Sequence, residues 1–507
     1  STLPMIWVNG IVICCIRDPT LVDEIVFQLR NARRMQVIGK YISITKHKKD
    51  IIICSDADCL VRPLLVASKL NEFAKIMYEY TQIHQTFELW EYLMDCGCIE
   101  FVDKCEEDNL LIASVPADVT PEHTHLLIHP SVELGHCASQ ICHLNHNQAP
   151  RNIYESTMCK QSEGVACMNF NKRMDTQSYT LHYPQKPLVR TLCNYDLQLM
   201  PTTTNVIVCI SPQNGYNQED SIVFNQAAID RGLFHSTHSF TVKDSSNTSL
   251  DKCSFENPQM QSNCVGLKST NYDSIRDNGL PIVGKIINKN EAVIGQTIEV
   301  NDPDTGGTMK RDGSKLWSND YPVRVDKVLE TINRDRTKIV KVKLSSYRVP
   351  QTGDKFCSMH GQKGTIGICL PPEDLPRTVD GIIPDILINP SCVPSRMTIA
   401  QLIEMVHGKA AAMTGKFGNG TPFQKGIVDA IGKALHSVGF QKMGKERMYC
   451  GKTGEKLKAL MFIGPCCYQK LRHHVVDKLH ARTIGKLQTL TRQPVEGRSK
   501  GIFFFIF

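Results

Sequence analysis

Apolar residues recur at helical spacing from Leu21 to Arg34, where Leu21, Val22, Ile25, Val26 and Leu29 share one face and predict an amphipathic helix. Ile51-Ile52-Ile53-Cys54 and Leu60-Val61 read as short strands. The intervening Ser55-Asp56-Ala57-Asp58 reads as the turn of a hairpin, a commoner use of aspartate than metal binding. Leu70 to Met94 is helical and connective. From about His125 the texture changes: Thr124 to Arg190 holds short polar motifs between short strands and almost no long amphipathic helix, a pattern that suits loops laid across a site. Asn205 to Ser211 is a buried strand (Val206, Ile207, Val208, Cys209, Ile210) that delivers Gly215–Ser221 at its end. Phe240 to Val349 is rich in Asn, Asp, Gly and Thr. Its β-runs at Ile282–Val283, Ala292–Ile298, Arg324–Thr331 and Ile339–Leu344 predict a separate β-rich insertion. Asn301–Gly307 mimics part of a calcium loop but lacks the later acidic ligand, so it reads as a hairpin tip. Pro394 opens a helix in which Thr398 and Gln401 fit a capping box and Ile399, Leu402, Ile403 and Val406 form an apolar stripe. Arg396 then falls just before a helix N-terminus, where free N–H groups favour anions.

A chain of 507 residues accommodates about two to four domains. Its 41% hydrophobic and 21% charged residues are those of an ordinary globular protein, and a net charge of +7 is too small to identify a polyanion partner. The distribution says more: Lys433 to Lys500 holds 15 Lys/Arg against 4 Asp/Glu. Such a run is either a solvated face or a polyanion contact. None of the 21 cysteines is spaced Cys-x-x-Cys, so no zinc ribbon or knuckle can be drawn. His136, Cys137, Cys142, His143 and His146 are the most tempting ligand cluster and read as core and loop residues. No signal peptide opens the chain, and no apolar run reaches the ~18 residues of a membrane span. Reduced thiols in the cytosol or nucleus are the expectation.

Candidate chemistry centres on Gly353-Asp354-Lys355-Phe356 and His360-Gly361-Gln362-Lys363-Gly364-Thr365-Ile366-Gly367. Lysine is a point charge suited to phosphate, and glycine lets a backbone turn sharply or approach a ligand closely. No Walker order is present, so a surface turn is the alternative. Glu219 and Asp220 are adjacent carboxylates at a strand end and on spacing alone read as a solvated acidic turn. The chain has no Asp-x-Asp-x-Asp cluster that could hold a tightly bound magnesium.

These stretches are accompanied by Asn147–Asn152, Gly215–Ser221, Pro394–Thr398, Arg173–Asp175, Tyr183–Pro187, Ile229–Phe234 and Thr491–Ser499. Together they closely resemble the second-largest (β-like) subunit of multi-subunit DNA-directed RNA polymerases of the eukaryotic, archaeal and large-DNA-virus type, in the family's order and over nearly the whole chain. The resemblance implies a mixed α/β, multidomain fold. Its parts are an external-type domain (1–115), a double-psi β-barrel hybrid-binding domain (116–237 and 351–500), an inserted β-rich wall or flap (238–350) and an atypical apolar tail (501–507). It implies a nucleotidyltransferase subunit, inactive without the largest subunit, which supplies the tight Mg2+ site. A second Mg2+, carried by the nucleotide, would lie near Glu219 and Asp220. Lys355 and Lys363 match residues that reach the RNA 3′ end and the nucleotide phosphates, and Arg151 and Arg396 match triphosphate-binding arginines. Gln148, Tyr154, Lys160 and Gln161 fall where the family contacts the RNA end or hybrid, and Arg492 and Arg498 where it touches the hybrid backbone.

Implied partners are the largest subunit, small assembly subunits, template DNA, the RNA–DNA hybrid and nucleoside triphosphates. No zinc and no membrane are implied, and the location is the nucleus, or cytoplasm or virion for a viral protein. Met359 departs from the family, which commonly has a basic residue there. The family's lobe, protrusion and fork would precede Ser1, and its cysteine-bearing zinc module and clamp tail would follow Lys500. That break points to a truncated reading frame, an unspliced sequence or a split gene. A non-catalytic nucleic-acid-binding or scaffolding remnant is the alternative reading.

Overall fold

A strand long enough to serve two neighbours closes the central sheet of this protein. In a computed structural model describing residues 3–55, 60–80, 87–196, 200–246, 253–301, 308–334, 337–479 and 485–493, the chain forms two compact units, Ser1–Gly135 and His136–Phe507. In the second unit, Thr204–Ile210, Ile386–Ile388, Ser221–Asn225, Lys363–Leu370, Lys355–Ser358 and Lys456–Lys470 are neighbours in that order. Lys456–Lys470 pairs with Phe356–Ser358 through Tyr468–Lys470 and with Thr204–Ile210 through Phe462–Tyr468, which closes a six-stranded barrel. Inside it, Val206, Val208, Ile222, Phe224, Phe356, Ile366, Ile386 and Tyr468 form one apolar cluster. The Phe356 ring centre lies 4.8 Å from that of Phe224 and 5.0 Å from that of Phe234. Burying such rings contributes roughly 1.5–3 kcal/mol each.

The helix Ile399–Thr414 packs Met405 into this cluster, and of the expected stripe only Ile403 is buried. Ile399 is exposed and Leu402 and Val406 are half-buried, while Gln401, Glu404 and Lys409 are buried. Polar partners decide the face: Lys409 pairs with Glu446 and donates to the Ile463 carbonyl at 3.3 Å. Pro394 does not open this helix. It lies in a separate five-residue helix, Cys392–Arg396, which ends at Met397 with φ 53°. The capping box does not form either, since Thr398 makes no side-chain cap bond. In the stretch expected to lack a long helix, Ala149–Cys159 is an eleven-residue helix with Pro150 in its first turn.

Ser236–Ser245 and Lys338–Arg348 run antiparallel along their whole length, so the segment between them leaves and returns at one place. Gln177–Leu181, Val323–Ile332 and Ile286–Ile287 complete that sheet, over a core that includes Phe240, Val293, Trp317 and Val342. The expected β-run at Ile282–Val283 is instead the short strand Ile286–Ile287. Ala292–Ile294 and Thr297–Asn301 are strands, and residues 302–307 lie outside the described residues. No described helix is long and apolar enough to cross a membrane, and no described cysteine forms a disulfide.

In the first unit, the helix Val22–Arg34 buries Val22 and Val26 against Ile44 and Ile51, with Leu21 exposed at its start. Asp50–Cys54 pairs with Met5–Val8 and Ser43–His47, whereas Val61–Val66 pairs with Ile99–Asp103 and His125–Leu126. Both edges of each strand are taken, so the hairpin expected across Asp56 and Asp58 is not formed; those two aspartates lie outside the described residues. Leu70–Tyr80 and Phe87–Asp95 are the described helices of the connective stretch.

The helix's basic end is buried rather than solvated. Arg33 donates to Glu106 at 2.8 Å and also pairs with Glu100, and Arg34 donates to Glu100 at 2.8 Å. Burial alone would raise the Glu100 carboxyl; the hydrogen bond from His125 and the Arg33 and Arg34 charges outweigh it and hold it below the ordinary range. Glu106→Gln leaves the arginines under-compensated and is expected to lower stability by about 3–5 kcal/mol. The readout is the urea midpoint of the first unit's transition at neutral pH. An unchanged midpoint would mean that the cluster contributes nothing net.

Candidate active site

Asn147 ties two distant segments together before any charge is considered. It forms an isolated antiparallel bridge with Thr398, and the Gln148 N–H donates to the Met397 carbonyl at 3.3 Å. Asn147 Oδ1 accepts the Ala400 N–H at 3.1 Å, so it caps the Ile399–Thr414 helix in place of Thr398. That bond orients the amide, and Nδ2 donates to Asn152 Oδ1 and to His360 Nδ1, both at 3.2 Å. With Nδ1 accepting, the ring proton sits on Nε2, which donates to Glu404 Oε2 at 2.5 Å. Glu404 Oε1 accepts the Cys467 N–H at 2.8 Å. One buried imidazole thus joins the segment before Arg151, the helix after Arg396 and the turn before Lys363.

The same turn is gripped from the Arg151 helix. Glu155 Oε2 accepts the Gly361 N–H at 3.2 Å and the Cys357 S–H at 3.3 Å. Gly361 has φ +72°, and a Cβ there would lie 2.5 Å from the Arg151 carbonyl oxygen, so only glycine fits. The close approach that this glycine permits is to the protein's own backbone.

Ser221 stands opposite Thr365, and Thr365 opposite Lys355, with Lys363 opposite Cys357. The Thr365 N–H donates to the Asp220 carbonyl at 3.0 Å. These pairings place Lys355, Lys363 and Asp220 at one end of the barrel. Lys363 is exposed; Lys355 is half-buried, and its ammonium is pushed below the usual lysine range by burial and then by the charges of Lys363 and Lys478. Arg396, last in its short helix, donates through Nη2 to Asp220 Oδ1, and its Nη1 is buried without a partner. Glu219 (φ 45°) and Asp220 (φ 71°) are both left-handed, and Glu219 is exposed. The Arg151 carbonyl lies against the Gly361 turn; its Nε is buried without a partner and its guanidinium lies 5.2 Å from the Tyr154 ring centre.

Gln148 is the N-cap of the Arg151 helix, Tyr154 is exposed on it, and Lys160 is exposed at its C-cap. Gln161 is engaged: its carbonyl accepts the Arg472 N–H at 3.0 Å and its Oε1 accepts from His473 Nε2 at 2.8 Å. Arg492 is exposed in a turn, and Arg498 lies outside the described residues. Met359 is buried, so the family's basic position is not a surface one here.

Lys470 belongs to the basic run yet is neither solvated nor facing a polyanion: its fully buried ammonium donates to the Phe234 carbonyl and Ser236 Oγ, each at 3.0 Å. Glu163, 3.8 Å from that ammonium, accepts from His474 at 2.6 Å, while Asp354 accepts the Val475 N–H at 3.0 Å. This network, absent from the sequence expectations, fixes the turn that presents Lys355. Its only sequence signal was Asp354 inside the Gly-Asp-Lys-Phe stretch.

The tempting cysteine–histidine cluster disperses. His136 is exposed and His143 Nε2 meets His407 Nδ1 at 3.1 Å. Cys142 lies 3.8 Å from His360 Nε2, and with Glu404 the three are close enough to suggest a metal site. The hydrogen bonding does not fit one. A cation on Nε2 would move the proton to Nδ1, against the Asn147 amide donor that Ala400 holds in place. Burial, and then the Glu404 charge, also push the Cys142 thiol well above its usual range.

Fold and site together define a mixed α/β protein built on a closed barrel with cations and paired carboxylates at one end. Residues 137–500 match the family described as RNA polymerase Rpb2, domain 6, and residues 6–68 match RNA polymerase Rpb2, domain 4. The chain is 41% identical over 519 residues to DNA-directed RNA polymerase II subunit 2 of Arabidopsis thaliana, covering 98% of this chain and 43% of that protein. It is 43% identical over 515 residues to DNA-directed RNA polymerase II subunit RPB2 of Encephalitozoon cuniculi (98% and 45% covered). Identity to DNA-directed RNA polymerase subunit Rpo2 of the archaeon Saccharolobus shibatae is 35% over 514 residues (97% and 44% covered). The chain belongs to the Rpb2 family, the second-largest subunits of DNA-directed RNA polymerases. It spans under half the length of these curated relatives.

Glu155 gives the site a pH signature. Complete burial outweighs the Cys357 and Gly361 hydrogen bonds and raises its carboxyl to about 8. Because the folded value is raised above the ordinary ~4.3, the acid's contribution to stability is fully present below about pH 4.3 and is lost as pH rises toward 8. Glu155→Gln keeps an acceptor for Gly361 and removes the ionisation. Its unfolding free energy is expected to gain on that of the unsubstituted chain by on the order of 1–3 kcal/mol between pH 5 and 8. Parallel pH profiles would show that Glu155 is not a raised acid.

Proposed function

We propose that this chain contributes the phosphate-binding half of a nucleotide-addition centre, within an assembly whose largest subunit holds the tight Mg2+. The placement of Lys355, Lys363 and the Arg396–Asp220 pair toward one end of the barrel is the observation that carries this reading, with the Arg151 backbone packed against the Gly361 turn. Arg151 and Arg396 bind the triphosphate, where a planar fork suits phosphate oxygens. Lys355 and Lys363 hold the RNA 3′ end and the nucleotide phosphates, so that attack occurs in line. Burial, and then the charges of Lys363 and Lys478, lower the Lys355 affinity for its proton, and an incoming polyanion offsets those charges.

Glu219 and Asp220 fit a second Mg2+ carried with the nucleotide, because one or two carboxylates with retained waters suit that ion. Bound there, it would reduce the charge on phosphate oxygens. Gln148, Tyr154, Lys160 and Gln161 border the RNA end or hybrid; Gln161 acts through the His473 contact as much as directly. Arg492 and Arg498 take the hybrid backbone. In this reading the barrel is a double-psi barrel forming the hybrid-binding domain (116–237 and 351–500), residues 238–350 are the wall, and residues 1–115 are an external domain. Partners are the largest subunit, small assembly subunits, template DNA and hybrid, in the nucleus of a eukaryote or the cytoplasm or virion of a viral system.

In a polymerase assembled around this chain, Lys363→Ala is expected to slow single-nucleotide addition by on the order of 10²-fold or more while hybrid affinity changes far less. Rapid-quench addition and hybrid-retention assays give the two numbers. Equal losses in both would reduce Lys363 to a backbone contact, and normal addition would leave the chain a nucleic-acid-binding scaffold.

A further inference from the structure

We propose that His474 is a positioning residue for Lys355: held as an imidazolium between Glu163 and Asp354, it sets the turn that presents that lysine. This rests on Lys355 as a phosphate ligand and adds what controls its placement. His474, Glu163 and Asp354 are all buried. The His474 Nε2 lies 2.6 Å from Glu163 Oε1, and its Nδ1 lies 3.7 Å from Asp354 Oδ2. Glu163 Oε2 has no hydrogen-bond partner, so this carboxylate depends on the charges beside it, those of His474 and of Lys470 at 3.8 Å. An imidazolium donates at both nitrogens, whereas a neutral imidazole donates at only one. With the proton on Nε2 alone, a bare Nδ1 lone pair faces Asp354. With the proton on Nδ1 alone, a bare Nε2 meets Glu163 at contact. Only the charged ring serves both carboxylates, and with Lys470 it balances their two charges.

The other groups around the ring do not supply that charge. Burial holds the His238 imidazole down at about 4, and it lowers that of His473 as well. Arg348 is taken by Asp477 at 2.8 Å, and Tyr179, whose ring centre lies 6.1 Å from that of His474, is kept neutral by burial. For His474 itself burial works against the proton, but the hydrogen bonds to Asp354 and Glu163 outweigh it and raise its value above the ordinary range. Its contribution is therefore fully present below about pH 6.5 and is lost as pH rises through the raised value. Asp354 passes this state on. Its Oδ1 accepts the Val475 N–H at 3.0 Å and its Oδ2 the Gln351 N–H at 3.2 Å, so one carboxylate joins the start of the turn to the segment beneath it. Gly353, at φ +97°, packs on Val475 there. Lys355 is the next residue after Asp354. When His474 loses its proton, a lone pair turns on one of the carboxylates and this joint loosens.

The test is amide hydrogen exchange of the 507-residue chain, read at Gln351 and Val475 and corrected for the intrinsic pH dependence of exchange. Between about pH 6 and pH 9, protection at both is expected to fall about tenfold, the worth of one pKa unit. The strand Thr204–Ile210 keeps its protection. Glu163→Gln is the discriminating variant. Its amide donates to Nε2, the neutral ring donates to Asp354 through Nδ1, and protection stays high throughout. His474→Gln cannot titrate and shows low protection at every pH. A flat profile in the unsubstituted chain, or an unchanged step in Glu163→Gln, overturns the proposal. Titration with sodium tripolyphosphate tests the underlying reading separately. At the alkaline end, Lys355→Ala is expected to remove more affinity in the Glu163→Gln background than in the unsubstituted one. If Lys355→Ala changes no affinity at any pH while the exchange step stands, the phosphate role of Lys355 falls, and with it the functional half of the proposal.

Discussion

The two hydrogen bonds of the His360 ring are the constraint on which the rest of the site depends. The ring accepts from half-buried Asn147 on one side and donates to buried Glu404 on the other. A buried polar network is stable only when every member is satisfied, and this one is: Asn147 also caps Ala400 and Glu404 also accepts from Cys467. The three segments it joins carry Arg151, Lys363 and Arg396. None of these cations touches the ring, yet their mutual placement follows from it. Glu155 makes a second joint between the Arg151 helix and the same turn.

Bringing these cations together works against Coulomb repulsion, and the barrel supplies the rigidity that withstands it. Burial, and then the charges of Lys363 and Lys478, reduce the hold of Lys355 on its proton. Its turn does not yield, because Asp354 and the buried Lys470–Glu163–His474 group fix it. Asp220 offsets part of the charge through Arg396. On the proposed reading, a rigid and partly compensated cationic site is preorganised for a polyanion, since little rearrangement remains to be done when one arrives.

Apolar spacing made the barrel strand at Asn205–Ser211, the Leu21–Arg34 helix and the long strands of the insertion legible in the sequence. It failed wherever buried polar residues decide the packing. Glu404, Gln401 and Lys409 look like the solvent face of their helix and are its inner face. Thr398 and Gln401 spell a capping box, but Asn147, some 250 residues earlier in the chain, supplies the cap. The hairpin across Asp56 and Asp58 failed for a different reason: strand partners from elsewhere had already occupied both edges. The site stretches were legible because they are short motifs of charged and glycine residues. Their dependence on His360 was not, since a histidine before Gly-Gln-Lys carries no sign of which segments it bonds.

Hydrogen exchange of the full chain tests that dependence most directly. In Glu404→Gln the His360 Nε2–H loses its charged acceptor, a change expected to weaken the node by about 1.5–3 kcal/mol. Amides at residues 147–152, 358–363 and 397–404 should then lose protection together, while the strands Ser236–Ser245 and Lys338–Arg348 keep theirs. Loss confined to 397–404, with the other two segments unchanged, would contradict the account.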